Sequence, residues 1–153
     1  MTILRPMTEA DIDAVLAIEY ACFPRQWKRE HFKAEIDSDC GVAVVAEEGG
    51  KIAGFLCLSV LFDEAEILDV AVDPARHRSG IGAHLLQWAF DEAIKLGARI
   101  IRLEVRATSA PAIALYERFG FRRCGLRKAY YENGIDAVLM DINLIQEEVL
   151  HAV

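Results

Sequence analysis

The chain has 153 residues, 54% of them apolar and 27% charged, the composition expected of one globular domain rather than of a disordered or collagen-like chain. With 24 acidic against 17 basic side chains the net charge is −7, which argues against sequence-independent binding of nucleic acid. The longest apolar run, Ile52 to Phe62, is eleven residues, too short for a bilayer that takes about 20, and no apolar stretch of a secretory leader follows Met1. The four cysteines, Cys22, Cys40, Cys57 and Cys124, show no C-x-x-C spacing. Zinc and thioredoxin-type chemistry therefore lack a motif, and four reduced, mostly buried thiols in a cytoplasmic protein are expected.

Taken in chain order, residues 2–6 read as a first strand. Thr8 and Asp11 have capping-box spacing, and Ile12, Val15, Leu16, Ile18 and Glu19 then keep a helical period to about Cys22. Phe23-Pro24-Arg25-Gln26-Trp27 interrupts it, and a second helix is expected from Lys28 to Ile36. Gly41 to Ala46 is a Val-rich strand, Glu48-Gly49-Gly50-Lys51 a hairpin turn, and Ile52 to Leu61 and Ala65 to Val72 two further strands. Asp73-Pro74 stops the last of these. The strongest helix follows, with Leu85, Leu86, Ala89, Phe90, Ala93 and Ile94 expected toward the core, and Gly97 ends it. Arg99 to Arg106 is a strand. Ser109 is expected to cap a helix with Pro111 in its first turn, closed by Gly120. Phe121 to Tyr131 and Ile135 to Leu144 form a last hairpin. The predicted fold is α/β, a mixed sheet in the order β-α-α-β-β-β-α-β-α-β-β with helices on both faces. One domain is expected over residues 1–146, with a short tail at 147–153.

Three segments carry candidate chemistry. Asp73 to Ala83 joins a strand to a helix start. It holds Arg76, His77 and Arg78 beside Gly80 and Gly82, so backbone donors, the helix dipole and local cations converge in a phosphate site. The segment is neither a Walker A loop nor a complete dinucleotide fingerprint. In Leu103-Glu104-Val105-Arg106 the alternation places Glu104 opposite Leu103 and Val105. A mid-strand carboxylate in a sheet covered on both faces is either a structural ion pair with a neighbouring Arg or a general base kept ionised by such neighbours. In the helix from Ser109 to Gly120, Ala112, Leu115 and Phe119 supply an apolar stripe. Tyr116 is expected at the stripe's edge with a wet hydroxyl, either simply packed or able to protonate a thiolate.

These segments, in this order, resemble the GNAT superfamily of acetyl-CoA-dependent N-acetyltransferases. The phosphate-loop pattern Gln/Arg-x-x-Gly-x-Gly/Ala stands here as His77-Arg78-Ser79-Gly80-Ile81-Gly82, with His77 replacing the usual head residue. Within the superfamily, Asp63-Glu64-Ala65, Val70-Ala71-Val72-Asp73-Pro74, Leu103-Glu104-Val105-Arg106-Ala107, Ala112 to Glu117 and Tyr130-Tyr131 are similar to the ribosomal-protein-alanine N-acetyltransferase (RimI-like) branch. The resemblance implies Glu104 as general base and Tyr116 as general acid. It implies the Val70-Ala71-Val72 main chain along pantetheine, and Arg78, Ser79, Gly80, Ile81, Gly82 and Ala83 around the pyrophosphate. Ser109 stands where the branch commonly has a cofactor-touching Asn. Phe23, Pro24, Tyr130 and Tyr131 would line the peptide side.

The expected activity is acetyl transfer from acetyl-CoA, as cosubstrate and without a metal, to a protein N-terminal α-amine, with Ala or Ser of a ribosomal protein favoured. The alternatives are a GNAT enzyme of a small amine or lysine side chain, and a non-catalytic acyl-CoA-binding module. No direct contact with nucleic acid or membrane is expected, and the chain should be a monomer or weak dimer.

Overall fold

The structure, a computed structural model, describes residues 1–24, 26–77 and 79–144. Arg78 and the tail at 147–153 lie outside the described residues. Within them the chain forms a seven-stranded sheet in the order β1-β2-β3-β4-β5-β7-β6. The strands are β1 (Thr2–Pro6), β2 (Gly41–Glu48), β3 (Lys51–Leu61), β4 (Glu64–Val72), β5 (Ile100–Arg106), β6 (Arg122–Arg127) and β7 (Ala137–Asn143). The helices are α1 (Ile12–Cys22), α2 (Arg29–Asp37), α3 (Ile81–Lys95) and α4 (Ala110–Arg118), so the predicted order holds. Neighbouring strands run antiparallel except β4 and β5.

Two cores flank the sheet. Leu85, Leu86 and Ala89 of α3 and Ile113 and Tyr116 of α4 meet Leu56, Ile101, Leu103 and Met140 on one face. Ile12, Val15 and Ile18 of α1 and Phe32 of α2 meet Val45, Phe55, Cys57 and Ala71 on the other. Gly54 lets α3 lie close to the sheet, since a Cβ there would come 3.2 Å from Ile81 and 3.3 Å from Leu85. The Thr8–Asp11 cap forms: the Asp11 carboxylate accepts the Thr8 N–H at 2.8 Å and both Arg5 guanidinium nitrogens at 2.8 and 2.9 Å. That fork to Arg5 lets the short Asp side chain do what a Glu would do.

Several expectations need correction. In α3, Ala93 takes the core contact and Ile94, about 100° further round the helix, is left 37% exposed. In α4 the buried stripe is Ile113 and Tyr116, with Ala112, Leu115 and Phe119 only half-buried beside it. The Ser109 side chain makes no capping bond; its main-chain N–H donates to Arg106 at 2.9 Å, so the turn is closed by backbone alone. Of the cysteines only Cys57 is buried; Cys22 is half-buried, and Cys40 and Cys124 are exposed.

Candidate active site

β4 and β5 pair only at Glu64–Ile100, Ala65–Ile101 and Glu66–Arg102, and then part. Just past that point β4 carries an extra residue, because Cys57 faces Asp69 while Leu58 faces Ile67, leaving Leu68 as a bulge that re-aims the strand. Toward β3, Asp73 and Ala53 form a hydrogen-bonded pair, the Asp73 N–H donating at 2.8 Å. The antiparallel alternation then turns the main chain of Val72 and Val70 away from β3 and toward the opening beside β5.

The opening is flanked from both faces of the sheet. Leu103 and Val105 belong to the α3–α4 core, so Glu104 between them points to the opposite face. There α1 and α2 cover the strands only as far as β4, and an open groove of about 450 Å³ remains, lined by Glu64, Glu66, Arg102, Glu104, Arg127 and Leu139 among others. Glu104 is thus half-buried in a groove rather than sealed under a covered sheet, as the sequence suggested. Its ion-pair partner is also not a neighbour on its own strand. Arg127 of β6 reaches it at 3.3 Å, Arg102 pairs with Glu64 at 3.1 Å, and Arg106 with Glu132 at 2.6 Å. Desolvation in the groove and the nearby Glu104 charge push the Glu66 carboxyl above its ordinary range.

Tyr116 comes from the other side. It is 7% exposed and packs its ring against Phe121 at 5.8 Å, so its hydroxyl is not at a wet edge as expected. Burial first, then the charges of Asp69 and Tyr131, push its phenol above the ordinary range, so the group holds its proton at any physiological pH. The shift of Tyr131, led by burial and then by Glu104, ties the two sides together: Tyr131 feels Glu104, and Tyr116 feels Tyr131.

Two of the expected peptide-side residues, Phe23 and Tyr131, meet around Arg106, which sequence reasoning did not single out. Its guanidinium lies 4.4 Å from the Tyr131 ring centroid and 5.6 Å from that of Phe23, and donates to both oxygens of Glu132. Tyr130 stacks edge-on against Tyr131 at 5.1 Å and under Arg127 at 5.2 Å. Pro24 is exposed.

At the phosphate loop the backbone argument stands better than the charge argument. Gly80 adopts φ +84° as the residue before α3, a left-handed turn that favours glycine, and a Cβ there would meet nothing within 4 Å. Ser79 Oγ donates to the Arg76 carbonyl at 2.6 Å. Two of the three basic side chains are already engaged, however: Arg76 pairs with Glu48, and His77 Nε2 lies 3.0 Å from the Val72 carbonyl, donating to it in the Nε2–H tautomer. Gly82 does not open the loop directly, since its missing Cβ would face Leu115 at 3.4 Å and Val72 at 3.8 Å. Among the described residues, what remains for an anion is Gly80 together with the orphan N–H groups at the start of α3, residues 81–83.

A strand pair that opens past a β4 bulge, a glycine turn at the following helix and a half-buried carboxylate in the groove beside the opening agree with a family match: residues 12–121 fit the acetyltransferase (GNAT) family model. The chain belongs to the GNAT family of acetyltransferases. This GNAT chain is 34% identical over 143 residues to the ribosomal protein bS18-alanine N-acetyltransferase of Escherichia coli, covering 92% of this chain and 96% of the relative. It is 35% identical over 141 residues to the N-alpha-acetyltransferase RimI of Mycobacterium tuberculosis, covering 88% and 87%. The crystal structure of the E. coli S18-alanine enzyme superposes with a TM-score of 0.87 over 94% of each chain. Arabidopsis NAA60 in complex with acetyl-CoA shares the fold, with a TM-score of 0.84 at 20% identity over 95% of this chain and 99% of that one. The chain is therefore an N-acetyltransferase with the GNAT fold, as the sequence indicated. Among the described residues, no helix is long and apolar enough to cross a membrane.

Proposed function

We propose that the chain acetylates the N-terminal α-amine of a protein, most closely an Ala or Ser N-terminus of a ribosomal protein, at the opening between β4 and β5. The observation that carries this is Glu104 in the open groove past the β4–β5 pairing, on the face opposite the one in which Tyr116 is buried. An acceptor entering from the groove would meet the carboxylate, and a donor entering from the α3 side would meet the phenol. Acetyl-CoA supplies the acyl group as a thioester. The residues suit it: Gly80 and the start of α3 for the pyrophosphate, the outward main chain of Val70 and Val72 for pantetheine, and Ser109 near the turn into α4; Ala71, expected beside them, is buried and its main chain faces β3 instead. The Val72 carbonyl already accepts from Cys22 Sγ at 3.4 Å and from His77, so the Val70 carbonyl is the freer of the two acceptors. Arg78 would complete the loop.

In this reading a carboxylate oxygen of Glu104 takes a proton from the acceptor ammonium, and the Tyr116 hydroxyl gives one to the departing thiolate. Phe23, Pro24, Tyr130 and Tyr131 hold the acceptor's first residues, with Arg106 between the rings. An α-amine with a pKa of about 7.7–8.0 needs little help, whereas a lysine near 10.4 needs about 3.4 kcal/mol more. A single half-solvated carboxylate suits the first. Turnover of acetyl-CoA against N-terminal peptides, lysine peptides with blocked N-termini and polyamines, read by mass spectrometry, tests it. Acetyl on the α-amine of Ala- or Ser-starting peptides is the expected result; acetyl on lysine or polyamine alone overturns it.

A further inference from the structure

Beneath the acceptor side lie two carboxyl groups that the mechanism above does not use. Glu19, on the apolar stripe of α1, is 1% exposed. Its Oε2 accepts the Trp27 N–H at 2.9 Å, and its Oε1 is buried without a protein donor. Asp69, the first residue past the β4 bulge and the cross-strand partner of Cys57, likewise has Oδ2 buried without a donor. The two carboxyls lie within hydrogen-bonding reach of each other; both ionised they only accept and cannot satisfy each other, and one proton between them turns two orphan oxygens into a hydrogen bond.

We propose that Glu19 and Asp69 share one proton, and that this bond positions the acceptor side of the site by fixing α1 and, through Trp27, the α1–α2 link onto β4 beside Val70. The link carries Phe23, whose ring lies against Arg106, and the main-chain N–H of Phe23 itself donates to the Glu19 carbonyl at 3.0 Å. The pair thus joins three parts of the proposed site: Phe23, Val70 and, through Arg106, Tyr131. Glu19 and Asp69 are positioning residues, and their role rests on the N-terminal-acetyltransferase reading above.

The surroundings favour one retained proton. Burial first, and then the bond to Glu19, push the Asp69 carboxyl up to about 9, with the Val70 N–H and the Arg106 charge working the other way. The other titratable groups near the pair are Cys22 on α1, Cys57 on β3, Glu35 on α2 and Tyr116 on α4. Burial raises all four above their ordinary values. The ordinary value for Asp69 is 3.8, so the folded chain keeps a proton that the unfolded chain has lost. The stability this proton contributes is complete below 3.8, declines as pH rises and is gone above about 9.

The test compares the wild type with Asp69→Asn, whose amide N–H donates permanently to Glu19 and does not titrate. In carbon-13 NMR of Asp- and Glu-labelled protein, one carboxyl should stay protonated through neutral pH and be absent from the variant. The Trp27 and Val70 amide resonances should move with its midpoint in the wild type and stay still in Asp69→Asn. The KM for an acceptor peptide should rise fivefold or more from pH 8 to 10 relative to the variant, with the KM for acetyl-CoA tracking in both. Asp69→Leu, which leaves Glu19 Oε1 unpartnered, should raise peptide KM at every pH; if it fails to fold, the wild-type and Asn profiles still decide. Ionisation of both carboxyls in the ordinary acid range overturns the shared proton. Amides and peptide KM that ignore the titration overturn the positioning role. A wild type that acetylates no N-terminal peptide overturns the acceptor reading instead, and the NMR measurements then decide this proposal alone.

Discussion

Arg127 reaches over β7 from the edge strand to place its guanidinium 3.3 Å from the Glu104 carboxylate. Both readings of Glu104, structural partner and base, must explain this contact, and magnitudes separate them. The Arg127 side chain is 54% exposed, and exposed pairs contribute about 0–1 kcal/mol. General-base catalysis supplies about 10²–10⁴-fold in rate.

Arg127→Met should therefore lower thermal stability slightly and change kcat/KM by no more than about fivefold, the equivalent of 1 kcal/mol. Glu104→Gln should keep the fold and the acetyl-CoA affinity and lose about 10²–10⁴-fold in kcat/KM, most at low pH, where the acceptor is mainly ammonium. Steady-state kinetics and calorimetric titration of both variants check this. Equal small losses in the two would leave Glu104 a structural carboxylate.

Tyr116 is buried and its phenol is held above its ordinary range, which changes what a pH profile shows. The wild-type kcat should have no alkaline limb from this group below pH 10. A hydroxyl that donates to a thiolate of ordinary thiol pKa near 8.5 supplies only the low end of general-acid gains, about 10²-fold. Tyr116→Phe, keeping the ring against Phe121, should fold, bind acetyl-CoA and lose about that much in kcat. Pre-steady-state acetyl transfer compared with steady-state turnover checks it; wild-type kcat in the variant returns the proton to water.

At Gly80, backbone shape and steric access can be separated. Its φ is +84°, and a Cβ added there would have no atom within 4 Å, so an alanine would suffer conformational strain only, about 1–2 kcal/mol. Gly80→Ala should melt at a lower temperature and bind acetyl-CoA more weakly, as the start of α3 re-aims its N–H groups. Calorimetry checks both; lost stability with undiminished affinity would take the anion away from this turn.

The element order was legible in the sequence because the apolar periods change cleanly at Gly49-Gly50, Asp73-Pro74, Gly97 and Gly120. Glu104 was legible by its place between Leu103 and Val105. What pattern could not give was which face stays open, since that depends on α1 and α2 reaching only to β4. Glu104 therefore looked more buried, and Tyr116 more exposed, than they are. Arg127 could not be paired with Glu104 from spacing alone, because β7 inserts between β5 and β6 and turns a distant hairpin arm into a neighbour. The loop cations looked free because Glu48 and the Val72 carbonyl, which engage Arg76 and His77, are brought in by the fold. Glu19 did carry a signal, a carboxylate in register with Ile12, Val15 and Ile18; its partner Asp69 was hidden by the bulge, which shifts the alternation of β4.

Arg106 gives the sharpest test of how the acceptor is held. Its Cζ lies 4.4 Å from the Tyr131 centroid while its Nη2 sits 2.6 Å from Glu132, and its side chain is 15% exposed. A cation over an aromatic face is worth about 0.5–1 kcal/mol when exposed and about 2 when desolvated, and only the planar fork can stack and donate to both carboxylate oxygens at once. Arg106→Lys keeps the charge and loses both geometries, so Tyr131 and Phe23 lose the plate between them. An energy of about 1.4 kcal/mol corresponds to tenfold, so the KM for an N-terminal peptide should rise about tenfold. The kcat should fall less, and acetyl-CoA affinity should be held, because the donors proposed for the pyrophosphate lie at the start of α3, away from Arg106. Peptide and acetyl-CoA titrated separately against the variant distinguish the outcomes. A loss shared equally by both substrates would mean that Arg106 only holds the sheet together, and an unchanged peptide KM would remove Phe23 and Tyr131 from the acceptor side.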